Sequence, residues 1–328
     1  MTHVEARRSL VLMAGGQGCQ YYHMAAELYQ KHSTFRRAMQ EGDRIAHRML
    51  RTSILDVIYD ERRSRLDTFD DIRFTHPAIL IVQHSFGRMI LDWGVRPAHV
   101  LGYSLGELVV NILAGAVSLE DAIFAAVVQA ELVAKRCPVG GMMAVLGSPR
   151  LLEAHDEVFS GCSLACINFD GHFVVAGRKR ELHRAADLLA TMSISTQVLP
   201  VNYAFHTSMM TPAREDLELL FDAIRYARPA TSVISSNLAG PAPGIGGEHF
   251  WQVARGPVMF GKTIDWLESR GPHLYVDLSP SGTLAAFAKR ILGDGASESA
   301  VLPSLTMYGR DCDRVRELMS ALKELGAA

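Results

Sequence analysis

A short apolar strand that runs into a helix through a glycine-flanked serine is the feature that most constrains this chain. Residues 99–103 are predicted to form the strand, and the apolar positions of 108–113 predict the helix. The turn between them reads Gly102-Tyr103-Ser104-Leu105-Gly106. Glycines on both sides allow such a turn to close tightly and to project the serine hydroxyl outward. The segment therefore predicts an α/β fold with Ser104, a candidate nucleophile, at the end of a buried strand.

A second group of elements lies between residues 138 and 200. Its apolar patterns predict helices at 150–158 and 179–191, and strands at 142–146, 163–167, 173–176 and 196–199. This β-α-β-β-α-β order is that of a ferredoxin-like unit. We therefore predict a small ferredoxin-like subdomain over residues 138–200, inserted into a large α/β subdomain formed by residues 1–137 and 201–328.

The large subdomain alternates predicted strands and helices on both sides of this insertion. Strands are predicted at 9–13 and 273–278, and helices at 260–270 and 282–291. Residues 240–247 are rich in glycine and proline and are predicted to form a loop.

Composition excludes several classes of protein. With 48% hydrophobic residues the chain can bury a large core, and a net charge of -2 provides no overall field for binding nucleic acid. The five cysteines have neither the spacing nor the histidine partners of a zinc site, so we expect no metal. No apolar run is long enough for a signal peptide or a membrane span, so we expect a cytoplasmic protein without membrane contact.

A serine nucleophile needs a base, and the chain has thirteen histidines. His206 follows a predicted strand at the start of a loop, which is a suitable position for a catalytic base. A surface or structural role is the better explanation for a histidine about which nothing else is known. The residues alone therefore leave the choice open.

Five segments in the same order resemble the malonyl-CoA:acyl carrier protein transacylase family, which includes the acyltransferase domains of polyketide synthases. Residues 14–20 resemble its PGQGSQ loop, 75–78 its TQPA segment, 102–107 its GHSLGE turn, 203–206 its HAFH or YASH segment, and 276–280 its VEVGP strand end. Tyr103 stands where the family usually has histidine. The resemblance implies an α/β-hydrolase-like core with an inserted ferredoxin-like small subdomain.

The resemblance also implies roles for individual residues. Ser104 would accept an acyl group and His206 would act as its base, while the backbone N–H groups of Gln17 and Leu105 would form the oxyanion hole. In this family a backbone carbonyl orients the histidine, and we expect that carbonyl near residues 278–281, although the sequence does not place it. Asn168 matches an asparagine near the family's site. Tyr103 and Phe205, which flank the two reacting residues, are further candidates for binding substrate.

Position 129 departs from the family, which holds the carboxylate of malonyl groups with an arginine at this point. This chain has Gln129 there, and a neutral amide cannot replace a charged, bidentate guanidinium. We therefore expect the substrates to be neutral acyl groups. The protein would either transfer them or, in proofreading, hydrolyse stalled acyl groups from acyl carrier proteins. Two alternatives stay open: a conventional malonyl-CoA:acyl carrier protein transacylase with its cation elsewhere, and a catalytically silent module that binds carrier protein.

The family resemblance implies an acyl carrier protein as partner, with CoA or phosphopantetheine as the thioester carrier and no bound cofactor. Carrier proteins are acidic, so the docking surface should be basic. Two clusters are candidates: Arg178, Lys179, Arg180 and Arg184, and Lys289 with Arg290. Ordinary solvated helix faces are the alternative explanation for either cluster. We expect the protein to be a monomer.

Overall fold

The computed structural model describes residues 8–293 and 297–324, which form two sheets. The ten strands of these residues are β1 Ser9–Ala14, β2 His99–Gly102, β3 Gly141–Val145, β4 Cys162–Phe169, β5 His172–Gly177, β6 Thr196–Val198, β7 Ser232–Ser235, β8 Gly240–Pro241, β9 His273–Asp277 and β10 Ala300–Val301.

Helices cover the rest of the core. The α-helices are α1 Ala26–Lys31, α2 Ser33–Leu50, α3 Ile54–Ile58, α4 Ile72–Asp92, α5 Gly106–Leu113, α6 Leu119–Arg136, α7 Leu151–Ala154, α8 Lys179–Thr191, α9 Arg214–Asp222, α10 Gly247–Arg255, α11 Phe260–Glu268, α12 Thr283–Leu292 and α13 Asp311–Glu324. A short 3-10 helix spans Ser208–Ala213. In the described part of the chain, no helix is both long enough and apolar enough to cross a membrane.

The large sheet has the order β10-β9-β1-β2-β7-β8, and every pair in it is parallel except β7 with β8. Its central strand β1 is buried from Leu10 to Ala14, as expected for a parallel strand covered on both faces. Ala14 pairs with Gly102, and Met13 pairs with Asp277. The loops after β1, β2 and β9 therefore meet at one edge of the sheet, where open α/β sheets bind their ligands.

The small sheet is antiparallel and has the order β4-β5-β3-β6. Strand β5 lies between β3 and β4, which is the split arrangement of a ferredoxin-like unit. Its outer face buries a separate apolar cluster that includes Met143, Phe173 and Leu189. The predicted fold class, an α/β core with a small ferredoxin-like sheet, is confirmed. The exact subdomain limits, 1–137 with 201–328 and 138–200, stay a prediction.

Two predicted elements differ from the structure. The helix predicted over 150–158 ends at Ala154, because the chain then turns so that Val158 and Phe159 can join the small apolar cluster. The loop predicted over 240–247 begins with the short strand β8, at the edge of the large sheet. An edge position tolerates Pro241, since a proline has no N–H to donate to a further strand.

Candidate active site

Ser104 lies in a tight turn between β2 and α5. Its backbone is left-handed, with φ at +54°, which is uncommon for a residue other than glycine. Both flanking glycines are required for packing: a Cβ on Gly102 would lie 2.7 Å from the Glu107 Cα, and one on Gly106 would overlap the carbonyl of Ala14. The predicted turn is therefore present, and it holds the serine at the carboxyl edge of the large sheet.

His206 lies beside this turn, with its Nε2 at 2.9 Å from the Ser104 Oγ. Its Nδ1 lies 2.9 Å from the carbonyl oxygen of Gly256. A carbonyl can only accept a hydrogen bond, so Nδ1 carries the ring proton and donates it to Gly256. The lone pair of Nε2 is then free to accept from the Ser104 hydroxyl, which is the tautomer that a base for Ser104 requires.

The expectation that residues 278–281 supply the orienting carbonyl is wrong. Two of their carbonyls have other partners: that of Ser279 accepts from the Gly282 N–H, and that of Pro280 accepts from the Tyr21 hydroxyl. Gly256 follows the last residue of α10 and directs its carbonyl toward the imidazole instead. The contact joins residues 50 positions apart through backbone atoms, so no side-chain pattern in the sequence could have indicated it.

Burial lowers the pKa of His206 from its ordinary value to about 4, although the Gly256 carbonyl opposes this shift. The imidazole is therefore neutral at physiological pH and able to take a proton. Because its partner is a neutral carbonyl and not a carboxylate, only weak electrostatic stabilisation of the imidazolium comes from that side.

The loop after β1 brings Gln17 close to Ser104. A Cβ on Gly16 would lie 2.9 Å from the Ser104 Cβ, so the loop after β1 passes directly against the turn. The N–H groups of Gln17 and Leu105 find no acceptor within residues 8–293 and 297–324. The Gln17 side chain donates to the Thr75 Oγ1 at 2.9 Å, which anchors this loop to α4. The predicted oxyanion-hole residues thus both lie close to Ser104, and their role stays a prediction.

A cavity of about 50 Å³ opens beside Ser104. Gln129, on α6, is buried and lines it, as do the predicted residues Tyr103 and Phe205. The remaining lining residues are Gln17, His76, Leu105, Leu108, Met142, Cys166, Val174, Leu199, His206, Phe250, Val253 and Ala254. This lining contains no lysine or arginine. The cavity that would receive an acyl group is therefore without a permanent cation.

Asn168 lies on the other side of Tyr103 from the nucleophile. The Tyr103 hydroxyl donates to the Asn168 Oδ1 at 2.9 Å, and burial raises the pKa of this phenol, so it stays protonated. The Asn168 amide in turn lies 3.0 Å from the His172 Nδ1. Asn168 and His172 line a second cavity, of about 260 Å³, which shares Gln17 and Tyr103 with the first. Asn168 thus lines this second cavity and not the cavity beside Ser104.

The proposed docking residues differ in how free their side chains are. Arg184 uses its guanidinium to donate to three backbone carbonyls, of Glu157, Val158 and Ser160, and so helps to hold the small subdomain. The ammonium of Lys179 donates to Asn202, and Arg180 forms an exposed ion pair with Glu181. The remaining candidates, Arg178, Lys289 and Arg290, are exposed.

His76 is a cavity residue to which the sequence assigned no role. It lies on α4 among apolar side chains and is only 1% exposed, so from its pattern it resembles an ordinary core position. The sequence did contain one indication of a role in the site, because His76 stands where the TQPA segment of the family has glutamine. A polar substitution beside a motif residue can mark a change in what the site binds.

Comparison with protein families indicates an acyltransferase, which agrees with the Ser104–His206 pair in the site. The family model described as an acyl transferase domain matches residues 11–328. The chain is 39% identical over 289 residues to the polyketide biosynthesis acyltransferase homolog PksD of Bacillus subtilis, covering 88% of this chain and 89% of that one. It is 34% identical, with the same coverage, to the acyltransferase homolog BaeD of Bacillus velezensis.

Solved structures agree in fold. The acyltransferase domain from the second module of the salinomycin polyketide synthase superposes with a TM-score of 0.85 at 27% identity, over 98% of this chain and 75% of that one. A loading acyltransferase from the avermectin modular polyketide synthase gives 0.86 at 21% identity, over 96% and 99%. With the fold, the family model and these relatives in agreement, the chain belongs to the acyl transferase domain family.

Proposed function

We propose that this protein acts in polyketide biosynthesis, where it takes neutral acyl groups from the thioesters of acyl carrier protein onto Ser104. The acyl group would then pass to another carrier thiol or, as in proofreading, to water. The observation that carries the proposal is the placement of Gln129, and of no cation, in the cavity beside Ser104. The names of PksD and BaeD support the pathway, and the carrier follows from the family resemblance.

The geometry supports a two-step mechanism. His206 Nε2 removes the proton from the Ser104 hydroxyl as the oxygen attacks the thioester carbonyl. The N–H groups of Gln17 and Leu105 stabilise the oxyanion, and the imidazolium returns the proton to the leaving thiolate. The resulting ester is released when His206 activates a thiol or a water molecule in the same way.

The cavity lining argues against dicarboxylic substrates. A malonyl group bound there would bury its carboxylate without a cation, which costs several kcal/mol even after relaxation, on the order of 3 or more. The basic residues at the end of α6 do not replace the missing arginine. Lys135 and Arg136 are exposed, and the Arg136 guanidinium forms an ion pair with Asp216 at 2.6 Å.

Intact-protein mass spectrometry tests the proposal. The protein would be incubated with acetyl-, butyryl-, malonyl- and methylmalonyl-thioesters, with Ser104→Ala as the control for the site of attachment. We expect Ser104-dependent adducts from acetyl and butyryl groups and slow or undetectable loading of malonyl groups. Rapid loading of malonyl groups would contradict the proposal and indicate a conventional malonyl transacylase. The absence of any adduct would favour a catalytically silent module that binds carrier protein.

Two further experiments extend this test: variants at Gln129 and the addition of carrier protein. Gln129→Arg should introduce malonyl loading, whereas Gln129→Met, which is similar in volume and uncharged, should not. Adding carrier protein to the acyl-enzyme separates the fates of the ester. Appearance of the acyl group on the carrier would indicate transfer, and its release as free acid at the same rate without carrier would indicate hydrolysis.

A further inference from the structure

His76 is a buried polar side chain without a polar partner. It is 1% exposed, and neither of its ring nitrogens has a hydrogen-bond partner within the described residues. Its ring packs against Phe205, with the ring centroids 5.7 Å apart, and lines the cavity beside Ser104. The Ala126 carbonyl lies near the ring and partly opposes the lowering of its pKa, so at most one ring nitrogen has a weak partner and the other has none. A histidine with only a packing role would be expected to have at least one nitrogen paired.

The contact with Ala126 places His76 beside Gln129. Ala126 and Gln129 are three residues apart on α6, so they lie on the same face of that helix. The Gln129 side chain also makes no hydrogen bond within the described residues, and its amide, unlike the His76 ring, is not fully enclosed by protein but faces the cavity. A third group, the Gln17 Oε1, is buried in the same cavity without a partner. Unpaired polar groups from three different elements therefore converge next to the nucleophile.

Such groups are unfavourable unless something polar occupies the cavity. Each buried donor or acceptor that lacks a partner destabilises the protein, whereas apolar side chains of similar shape would fill the space without penalty. Burial lowers the pKa of His76 to about 4, so at neutral pH the ring is uncharged, with one donor and one acceptor nitrogen. An amide and a neutral imidazole together fit an uncharged oxygen, such as a hydroxyl or a ketone, better than a carboxylate.

The size of the cavity places this oxygen near the thioester end of the acyl chain. About 50 Å³ accommodates roughly three to five water-sized groups. The carbonyl oxygen of an acyl-Ser104 ester would point at the N–H groups of Gln17 and Leu105, which leaves the cavity for the first few carbons. Carbon–carbon bond formation between thioesters leaves an oxygen on the third carbon, so acyl groups from such chemistry carry a ketone or hydroxyl at that position.

We propose that His76 and Gln129 bind the oxygen on the third carbon of the acyl group, so that the site favours 3-hydroxyacyl and 3-oxoacyl thioesters over saturated ones of equal length. This inference rests on the proposed function, because it requires an acyl group on Ser104. It adds a substrate class that the loss of the family arginine does not by itself imply.

The test compares 3-hydroxybutyryl and butyryl thioesters, which differ by one oxygen. The rate of Ser104 acylation by each would be measured by mass spectrometry, and the ratio of the two rates recorded. We expect a preference of roughly tenfold or more for the hydroxylated group, since a site with polar groups left unpaired discriminates against the analogue that lacks the oxygen. His76→Leu and Gln129→Met should each bring the ratio toward one, while His76→Gln should retain most of it.

A matched control lies two turns further along α4. His84 is also buried and has an unpaired Nδ1, but it does not line the cavity, so His84→Leu should leave the ratio unchanged. Because damage to the fold lowers both rates together, the ratio is insensitive to it. Equal acylation by both thioesters, or a ratio unaffected by His76→Leu, would overturn the inference and leave the proposed function standing. Failure of both thioesters to acylate Ser104 would overturn the proposed function itself.

Discussion

Gly16 packs so tightly against Ser104 that a Cβ at position 16 would stand 2.9 Å from the serine Cβ and 3.0 Å from the Tyr103 carbonyl oxygen. The loop after β1 and the turn after β2 are therefore held in direct contact. This contact fixes where the N–H of Gln17 lies relative to the Ser104 hydroxyl.

Gly16→Ala should separate the loop from the turn and misplace one oxyanion donor. We expect Ser104 acylation to slow by about 10- to 100-fold, because displacements of this size at a reacting centre have effects of that order. Gly244→Ala is the matched control, since a Cβ there has no neighbour within 4 Å. Unchanged acylation in the Gly16 variant would show that the contact does not position the donor.

The reactivity of Ser104 should persist to unusually low pH. A base works only when it is deprotonated, and burial lowers the pKa of His206 to about 4. The rate of labelling by a fluorophosphonate should therefore be flat from neutral pH down to about pH 5, and fall below that as the imidazole becomes protonated. A midpoint near 6.5 would mean that His206 is not shielded from solvent as the structure indicates. Circular dichroism at each pH would confirm that the protein stays folded.

Acidification should destabilise the fold between pH 6.5 and 4. Burial lowers the pKa values of His76, His84 and His206 to about 4, so in this window the unfolded chain binds more protons than the native one. Burial raises the pKa of Asp277 to about 6 and also raises that of Asp311, and these two carboxyl groups act in the opposite direction. They are outnumbered, because burial also lowers the pKa values of four further histidines, His32, His99, His172 and His273. The melting temperature should be lower at pH 5 than at pH 7. An equal or higher value at pH 5 would contradict the burial of these histidines.

Tyr103→Phe should remove the hydrogen bond to Asn168 without removing the nucleophile. The variant leaves the Asn168 Oδ1 without its donor, so we expect a loss of about 1–2 kcal/mol in the free energy of unfolding. Tyr308→Phe, at a side chain that is 86% exposed, should have no measurable effect. Chemical denaturation would measure both changes. Retained labelling of Ser104 in the Tyr103 variant would confirm that the loss is local.

The parts of this molecule that were predicted from sequence are those that short-range patterns determine. Ser104 could be placed because strand, glycine turn and helix occupy consecutive residues. The small sheet could be predicted because its strands and helices follow one another within 60 residues, and the spacing of apolar residues differs between the strands and the helices. The family resemblance added His206, which spacing alone did not distinguish from the other histidines.

The parts that were not predicted depend on contacts between distant backbone atoms or on what surrounds a side chain. Gly256 orients His206 through a carbonyl, a group that every residue has, so its identity carries no signal. His76 lies in an apolar helix and looks like core until the cavity beside it is visible. Helix α7 ends early because the following residues pack against the small sheet, and tertiary packing overrides local propensity there.

Ser104 and His206 share a feature with an evolutionary consequence: both have left-handed backbones, with φ at +54° and +65°. Glycine adopts this conformation without strain, so Ser104→Gly should relieve backbone strain while abolishing the reaction. His206 differs, because glycine there would also leave a cavity and remove the hydrogen bonds to Ser104 and Gly256. At position 104, mutation toward a less strained backbone therefore leads away from the chemistry, and glycine is the residue to expect there in a descendant that kept only a binding role.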